Sequence, residues 1–422
     1  MSEAGPPGYW PSRWPAEDGG PTRRQAPASG PGLGIRAGER LEVTARRDVA
    51  AATMTVLRDP GEAYLLRHTG GGDAISWVER IDPESLEPIE RSPDLSGGPA
   101  WPGGTAAHSN GSLYVVFGHH AHRLAPDTSV LASRTLPRVR PYNSFVVLPD
   151  GHLVTKDFGG VLPGGTDPAP EPTELLVLEP DRLEIVARRE LPERSIARLS
   201  ADGDDVYVVG EESLFRVRWD GRALAEPNLH ARYRTIDGQT YGWDTVVDGG
   251  AAWFLDNGAG SERYAGTFRD QGISTAPLHL VRIDLGDGTV QLAEICGLPN
   301  GVVANPPAVD PGRGIAVGFD SGNGVLAAFD VGPAGAMTPR WSRDQDHACH
   351  MVRFPDTGEV VTADHDRERM ADQVVVLDIE TGTELGQVDT GGPVQSVVFP
   401  AVGFDRDLYV CSFTTLSHVR VV

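Results

Sequence analysis

Lysine, cysteine and long apolar runs are all scarce in this 422-residue sequence. Lys156 is the only lysine among 37 basic residues, an imbalance typical of a GC-rich bacterial genome rather than of a particular fold. The three cysteines form an odd set without CxxC spacing, which excludes a disulfide framework and a cysteine-based zinc site. They are typical of reduced thiols in the cytoplasm, where we expect the protein to be located.

Membrane-spanning and secretory patterns are missing as well. No stretch approaches the 18 apolar residues that a transmembrane helix needs. The N-terminus has no hydrophobic signal-peptide segment, so Arg23-Arg24 is not expected to act in export. Acidic residues outnumber basic ones by 59 to 37, and a net charge of −22 repels nucleic acid and anionic lipid. Neither is an expected partner, and the oligomeric state stays open.

What the sequence does contain is a repeat, rich in glycine and proline. A short apolar run, a polar turn and a second apolar run recur every roughly 49 residues. FVVLPDGHLVTKD and MVRFPDTGEVVTAD show this hairpin pattern most clearly. The turns are Asp59-Pro60-Gly61, Ser109-Asn110-Gly111, Pro149-Asp150-Gly151, Ala201-Asp202-Gly203, Asp248-Gly249-Gly250, Asp310-Pro311-Gly312, Asp356-Thr357-Gly358 and Val402-Gly403-Phe404.

A second turn follows each of the first seven, as in LEPDRLEIVA, so that one repeat supplies four strands. The eighth repeat has only three strands, and residues 40–45 are the candidate for its outer strand, which would close the ring. The sequence therefore predicts an all-β, closed β-propeller of about eight four-stranded blades. Seven blades, a β-sandwich or two domains are the alternatives, and a repeat along the whole length disfavours the last two.

The predicted propeller occupies residues 39–422 as one domain, preceded by an irregular arm at residues 1–38. Proline and glycine dominate the composition of this arm. It also contains Tyr9-Trp10-Pro11 and Arg13-Trp14-Pro15. Because these aromatic side chains are large and apolar, we expect them to pin the arm to the body.

Polar residues gather where loops of different blades should meet on one face of the ring. Inner strands begin there, and second strands end there. The first group includes Asn143, Tyr241, Trp243, Asp244, Asn300, His347 and His350, and the second includes Lys156, Asp157, Asp256, Asp320, Asp364 and His365. Asn143, Tyr241, Trp243 and His365 are the candidate substrate-binding residues.

One blade, GLPNGVVANPPAVDPGRGIAVGFDSGNGVLAAFDV, resembles the NHL, gluconolactonase (SMP-30) and strictosidine-synthase-like propellers. In that group an Asn before a Gly ends an inner strand, and a DSGN turn follows the next strand. The resemblance implies that Asn300 helps to bind a divalent metal ion, as the matching Asn does in gluconolactonases. It covers about 35 residues closely.

The repeated acidic residues suggest the same chemistry, since carboxylate and amide oxygens suit Ca²⁺ or Mg²⁺ better than Zn²⁺ or iron. Asp244, Asp320, Asp256 and Asp157 are the candidate ligands beside Asn300. The alternative is that these carboxylates only hold turns through nearby backbone groups. No nucleotide or quinone cofactor is expected, because repeated tryptophan-docking motifs and vicinal cysteines are missing.

Catalytic groups are expected in one blade, where the segments Asp346–His350 and Asp364–Asp366 come together. His347 and His350, with Asp364, could supply a base held by an acid, although strand alternation points the two imidazoles to opposite sides. Lys156 could bind a carboxylate substrate or act as a desolvated base. The alternatives are buried histidines satisfied by hydrogen bonds and a lysine retained by chance.

Two functions fit these features. The first is an enzyme that acts on a small molecule in the axial funnel by metal-assisted or acid–base chemistry, such as lactone hydrolysis, isomerisation or cyclisation. The second is a non-catalytic scaffold that binds a protein or peptide on the same face. The mixed polar and aromatic residues favour the enzyme.

Overall fold

Eight antiparallel sheets, arranged as the blades of a ring, make up the computed structural model, which describes residues 5–160, 171–261 and 266–422. Each blade has four strand positions, which are filled in sequence order from the axis outward except in the last blade, whose outer strand comes from the start of the chain. In the first and fifth blades one of these positions is divided between two short strands. The β-propeller prediction is therefore confirmed, and the count within the described ranges is eight blades rather than seven. The only helical elements among those residues are the 3₁₀ turns Glu17–Gly19 and Pro333–Gly335, and none of their helices could cross a membrane.

The first strand of the chain belongs to the last blade, and the blades then follow in order. The strands up to the fourth blade are β1 (Leu41–Asp48); β2 (Ala52–Leu57), β3 (Ala63–His68), β4 (Ala74–Ile81), β5 (Pro88–Arg91) and β6 (Leu95–Gly98); β7 (Gly104–Ala107), β8 (Leu113–Phe117), β9 (His120–Leu124) and β10 (Val130–Thr135); β11 (Tyr142–Val147), β12 (Leu153–Asp157), β13 (Glu174–Leu178) and β14 (Ile185–Glu190); β15 (Ser200–Asp202), β16 (Asp205–Val209), β17 (Ser213–Arg218) and β18 (Leu229–Arg232).

The second half repeats this arrangement, except that the inner strand of the fifth blade is split in two. The strands are β19 (Gln239–Gly242), β20 (Val246–Asp248), β21 (Ala251–Gly258), β22 (His279–Asp284) and β23 (Val290–Glu294); β24 (Ala308–Asp310), β25 (Ile315–Asp320), β26 (Val325–Val331) and β27 (Met337–Asp344); β28 (Val352–Phe354), β29 (Glu359–Asp366), β30 (Ala371–Asp378) and β31 (Glu384–Asp389); β32 (Phe399–Val402), β33 (Asp407–Cys411) and β34 (Thr415–Val421).

Hairpin chemistry sets the register of each blade. The predicted turns all lie between the first and second strands, as at Asp150, whose Oδ1 accepts the N–H of His152 at 3.0 Å. Gly151 follows with a φ of +89°, which suits glycine because it has no Cβ. The middle strands are buried on both faces since neighbouring blades pack against each other, and these contacts form the core.

The ring closes through β1, as the sequence predicts. This strand pairs with β34 from Leu41 opposite Val421 to Asp48 opposite Thr415. It becomes the outer strand of the sheet that also contains β32 and β33. The first and last parts of the chain therefore share one blade, and β34 has no free edge.

The arm crosses the axis against the inner strands. Its carbonyl groups accept N–H groups of five of them: Trp14 from Leu57, Pro15 from Ala107, Pro21 from Ala201, Thr22 from Val247 and Gln25 from Arg353, all at 2.7–2.9 Å. The expected aromatic anchors are confirmed, since Tyr9 is 4% and Trp14 2% exposed. Trp10 donates from Nε1 to Asp59 at 3.1 Å. Residues 1–4 of the predicted arm lie outside the described ranges.

Candidate functional site

The strand register places the candidate residues on one face of the ring. Tyr142 at the start of β11 pairs with Asp157 at the end of β12, and Gly242 pairs with Asp256 in the same way. Inner-strand starts and second-strand ends therefore lie side by side, as expected. Sharing a face does not bring all of these side chains to the axis.

At the axis lies a cavity of about 240 Å³. Four of the predicted residues line it: Asn143, Trp243, Asp244 and His350. Its walls are mostly aromatic and apolar, and the remaining lining residues are Trp101, Pro102, Arg198, Thr267, Phe268, Ala304, Asn305, Val397, Phe399 and Phe413. A concave, largely apolar space with a few converging polar groups is typical of a small-molecule site.

A network of buried charges connects this cavity to the arm. Arg23 donates from Nη1 to Glu17 and to Asp18, each at 2.8 Å. Arg198 lies 3.3 Å from Glu17 and 3.2 Å from Asp244, and its own backbone N–H donates to Asp244 at 2.6 Å. These five side chains are at most 8% exposed, so the arm carries ionic groups to the ring axis.

His350 is held by the arm. Its Nδ1 lies 2.9 Å from Oδ1 of Asp18, and its ring stacks on Phe399 with centroids 4.6 Å apart. Burial alone would raise the pKa of Asp18, but the His350 imidazole and the guanidiniums of Arg23 and Arg198 outweigh it and lower that pKa. An ionised carboxylate only accepts hydrogen bonds, so Nδ1 must be the donor.

Whenever the His350 ring is neutral, its lone pair is therefore on Nε2. This nitrogen is buried and has no hydrogen-bond partner within the described parts of the chain. His350 is among the residues that line the cavity, and Nε2 is its one unpartnered ring nitrogen. A carboxylate that fixes the tautomer of an imidazole whose second nitrogen meets the ligand is the arrangement of a general base.

The arm reaches this position through an unusual backbone. Asp18, Arg23 and Gln25 have φ angles of 54°, 51° and 57°, in the left-handed region. A non-glycine residue there costs on the order of 1 kcal/mol, and such strain is concentrated at functional sites. The strain therefore agrees with a functional role for the arm.

The candidate metal ligands do not come together. Oδ2 of Asp157 contacts Arg138 and Arg140, at 3.1 and 3.3 Å, and its Oδ1 accepts the N–H of Glu174 at the start of the next strand. Each carboxylate is instead engaged locally, which is the turn-holding alternative. Among the described residues, none of the four Asp candidates belongs to a group of three acidic, His or Cys side chains close enough to share an ion.

Asp256 and Asp320 follow the same pattern. Asp256 accepts the backbone N–H of His279 at 2.6 Å and contacts the ring nitrogen of that residue. Asp320 accepts N–H groups of Val302 and Asn323 at 3.2 and 3.1 Å. Asp256 therefore ties the end of the second strand to the start of the third, and Asp320 ties its strand end to the adjacent loops.

Asn300 and Asp244 also depart from the expected ion site. Asn300 is exposed and has a φ of 63°, with its N–H donating to Ser274 at 2.8 Å, so it makes a turn outside the cavity. Asp244 lines the cavity but is paired with Arg198. The geometry does not support one ion shared by these five candidates.

One other group has metal-ligand spacing within the described ranges, formed by Glu17, Asp18 and His350. Its chemistry does not suit a cation, because Arg23 contacts both carboxylates and Arg198 contacts Glu17. Two guanidiniums beside the ligand oxygens would repel a divalent ion and already occupy the lone pairs it needs.

The remaining catalytic candidates lie away from the cavity lining. His347 packs on Phe319 with centroids 4.2 Å apart, and burial lowers its pKa to about 3. Asp364 accepts the N–H groups of Asp346 and His365 at 2.8 Å, and burial raises its pKa. These residues therefore do not form the expected cluster with His350.

Two candidate substrate contacts are also used within the protein. His365 Nδ1 lies 2.7 Å from Asp372. Tyr241 donates its hydroxyl to the carbonyl of Ser261 at 3.0 Å, and its ring meets Trp243 edge-on at 5.9 Å. Tyr241 thus supports the indole that lines the cavity.

Lys156 is fully buried, with Nζ donating to the carbonyls of Ser195 and Asp157 at 3.2 and 3.4 Å. It is not among the cavity-lining residues, so direct contact with substrate is not supported. Burial lowers its pKa to about 8, against the raising effect of Asp157 and Asp244. This pKa lies well below the ordinary value for a lysine side chain.

We predict that the Lys156 amine titrates near pH 8. Because it is the only lysine, lysine-selective ¹⁵N or ¹³C labelling gives one side-chain NMR signal to follow with pH. The unfolded chain holds this proton up to about pH 10.4, so the Lys156 contribution to stability becomes more favourable as the pH rises from about 8 toward that value. A midpoint near 10.4 would show instead that the amine is solvated.

Sequence reasoning missed the arm residues Glu17, Asp18 and Arg23, and their partner Arg198. The arm lacks the alternation of apolar and polar residues that predicts a strand, and Glu17-Asp18 alone is typical of a solvated turn. The sequence signal that could have identified these residues is the group of large aromatic side chains just before them. When such aromatics anchor the arm to the body, the charged residues beside them become buried as well.

No protein-family model matches this sequence, and no curated protein matches it significantly. Among solved structures, the quinohemoprotein alcohol dehydrogenase ADHIIG from Pseudomonas putida HK5 has a TM-score of 0.62 at 9% identity, over 97% of this chain and 80% of that one. BamB from Moraxella catarrhalis has a TM-score of 0.59 at 11% identity, over 90% and 97%. Such low identities show the β-propeller fold alone, and the resemblance to NHL and gluconolactonase propellers stays a prediction.

Proposed function

We propose that this β-propeller is an enzyme that binds a small molecule in its axial cavity and acts on it by acid–base chemistry, with His350 as the base. The observation that carries the proposal is the Asp18–His350 pair, which leaves Nε2 unpartnered at an apolar cavity. Isomerisation, cyclisation and lactone hydrolysis are the reactions that one positioned base serves.

Besides a base, such chemistry needs a hydrogen-bond donor for the substrate and an apolar environment, and the cavity offers both. Trp243 has an indole N–H without a partner in the described structure, and this donor could polarise a substrate oxygen. Aromatic walls exclude water and so strengthen electrostatic contacts inside. Asp18 is a positioning residue in this scheme, because it acts through His350.

The test is turnover of a panel of small lactones and enolisable ketones, followed by NMR. For any compound converted, His350→Gln should lower the rate about 10²–10⁴-fold, the usual contribution of a general base. Asp18→Asn should give a smaller loss and an altered pH profile, since it frees the tautomer. His347→Gln is the matched control, because that ring lies against Phe319 outside the cavity lining, and it should leave turnover unchanged.

A second candidate is a docking surface on the same face, and one observation favours it. Loops that connect strands there expose apolar side chains, with exposures of 42–74% at Val139, Ile236, Ile273, Leu298, Met370 and Val394. A contiguous apolar patch built from such residues would be typical of a protein interface. If no compound is converted by the wild type and His350→Gln leaves every measured property unchanged, the scaffold function is the better account.

A further inference from the structure

We infer that the axial cavity selects an uncharged, hydroxylated aromatic molecule, that is, a phenol rather than an acid or an amine. This inference rests on the proposed function, since it names the substrate class of the same site. Three features of the described residues carry it: the committed arginines, the balance of buried charge, and the set of polar atoms that the protein leaves unpaired.

The arginines beside the cavity already have buried carboxylate partners. Arg198 contacts Glu17 and Asp244, and it also donates to the carbonyls of Asn143 and Pro102, at 3.2 and 3.5 Å. All three of its nitrogens therefore already face an acceptor. A carboxylate or phosphate would have to compete with the buried ion pairs that Arg198 already makes, which is costly.

Arg23 is paired through two of its three nitrogens. It contacts Glu17 and Asp18 through Nη1 and donates from Nε to the carbonyl of Leu199 at 2.9 Å. Arg23 is 3% exposed. It belongs to the network of buried charges between the arm and the ring, and it is not among the residues that line the cavity. An acidic ligand would therefore have to share each guanidinium with the carboxylates that it already contacts.

The buried charges also balance without a ligand. Three carboxylates, on Glu17, Asp18 and Asp244, face two guanidiniums, with His350 and Lys156 as the further basic groups nearby. An uncharged ligand keeps this balance, whereas a cation or an anion would bring an unpaired charge into a low-dielectric site.

Most of the unpaired polar atoms of the cavity-lining residues are acceptors, so they favour a ligand that donates hydrogen bonds. Asn143 donates from Nδ2 to the carbonyl of Ile196 at 3.1 Å, which leaves its Oδ1 as a buried acceptor without a partner in the described chain. Asn305 Oδ1 and His350 Nε2 are two more, and Trp243 Nε1 is the one donor. Buried polar atoms are normally satisfied, so a ligand with two or more O–H groups fits three acceptors and one donor.

The walls define the rest of the ligand. Trp101, Phe268, Phe399 and Phe413 line the cavity together with Trp243. Trp101 is itself stacked on Phe158, with ring centroids 4.9 Å apart, so its plane is fixed. Flat aromatic molecules stack on such faces, and 240 Å³ limits them to small ones.

The test uses three probes that share a benzene ring and differ in charge: resorcinol, benzoate and benzylammonium. Calorimetric titration of the full-length protein at neutral pH should give a dissociation constant for resorcinol at least tenfold lower than for either charged probe. Asn143→Leu and Asn305→Leu should each weaken resorcinol about fivefold or more, because each removes a hydrogen-bond acceptor. Asn228→Leu, an exposed amide outside the cavity, should change nothing.

Several outcomes overturn the inference. Benzoate or benzylammonium binding as tightly as resorcinol would refute the substrate class, while leaving the acid–base proposal to stand on its turnover test. Binding of none of the probes, or resorcinol binding that both Asn variants retain, would also refute it. The two Asn variants serve as alternatives to each other, and circular dichroism shows which of them keeps the fold.

Discussion

Removing residues 1–48 should leave a protein that aggregates, whereas removing residues 1–38 should not. The longer deletion removes β1 and so exposes the backbone of β34 from Thr415 to Val421 along the edge of the last blade. Unpaired edges of this length recruit further strands from other molecules. The shorter deletion keeps the closing strand and removes only the arm. The ring should therefore stay closed but lose the buried arm residues Glu17, Asp18 and Arg23 beside the cavity.

The measurement is size-exclusion chromatography with light scattering, beside thermal melts of both truncated proteins. We expect the 1–38 deletion to elute as the wild type does, with a lower melting temperature because buried Tyr9 and Trp14 are gone. Equal elution and melting of the two deletions would show that β1 is dispensable and that ring closure does not depend on it.

Arg23→Met should destabilise the protein by about 3–5 kcal/mol. Methionine fills similar space but removes the cation that Glu17 and Asp18 share, which leaves only Arg198 beside Glu17 and His350 beside Asp18. The loss reflects the cost of two buried carboxylates left with one cation fewer rather than the net value of the ion pair, which burial of Arg23 itself partly cancels.

Arg24→Met is the matched control for this change. Arg24 is the next residue of the same arm and is exposed, so its loss should alter stability by no more than about 0.5 kcal/mol. Urea denaturation of the two variants measures the difference. Equal midpoints would mean that the buried network contributes no more than a surface charge does.

The sequence predicts the ring well because its information is periodic. Each turn, such as Pro149-Asp150-Gly151, lies between two apolar runs and specifies a hairpin from local chemistry alone. Closure by β1 follows from counting strands, since a blade with three strands needs a fourth. These features require no knowledge of distant contacts.

The site is only partly predictable because its contacts are not periodic. Asp18 and His350 are 332 residues apart and meet only because the arm crosses the axis. Strand ends identify a face, but they do not distinguish an acid such as Asp256, which holds a loop, from Asp244, which reaches the cavity. Asn300 carries the motif that suggested a metal, yet its left-handed turn keeps it outside the cavity lining.

The central claim is that Asp18 fixes His350 with Nε2 free toward the cavity, and histidine NMR measures it directly. Long-range ¹H–¹⁵N spectra of ¹⁵N-labelled protein distinguish protonated from unprotonated ring nitrogens, and His350→Gln identifies the His350 signals by their loss. At a pH where the ring is neutral, we expect a protonated Nδ1 and an unprotonated Nε2, with Asp18→Asn losing this preference. A wild-type His350 that carries its proton on Nε2 would contradict the account, because the lone pair would then face Asp18 and no base would be available to the cavity.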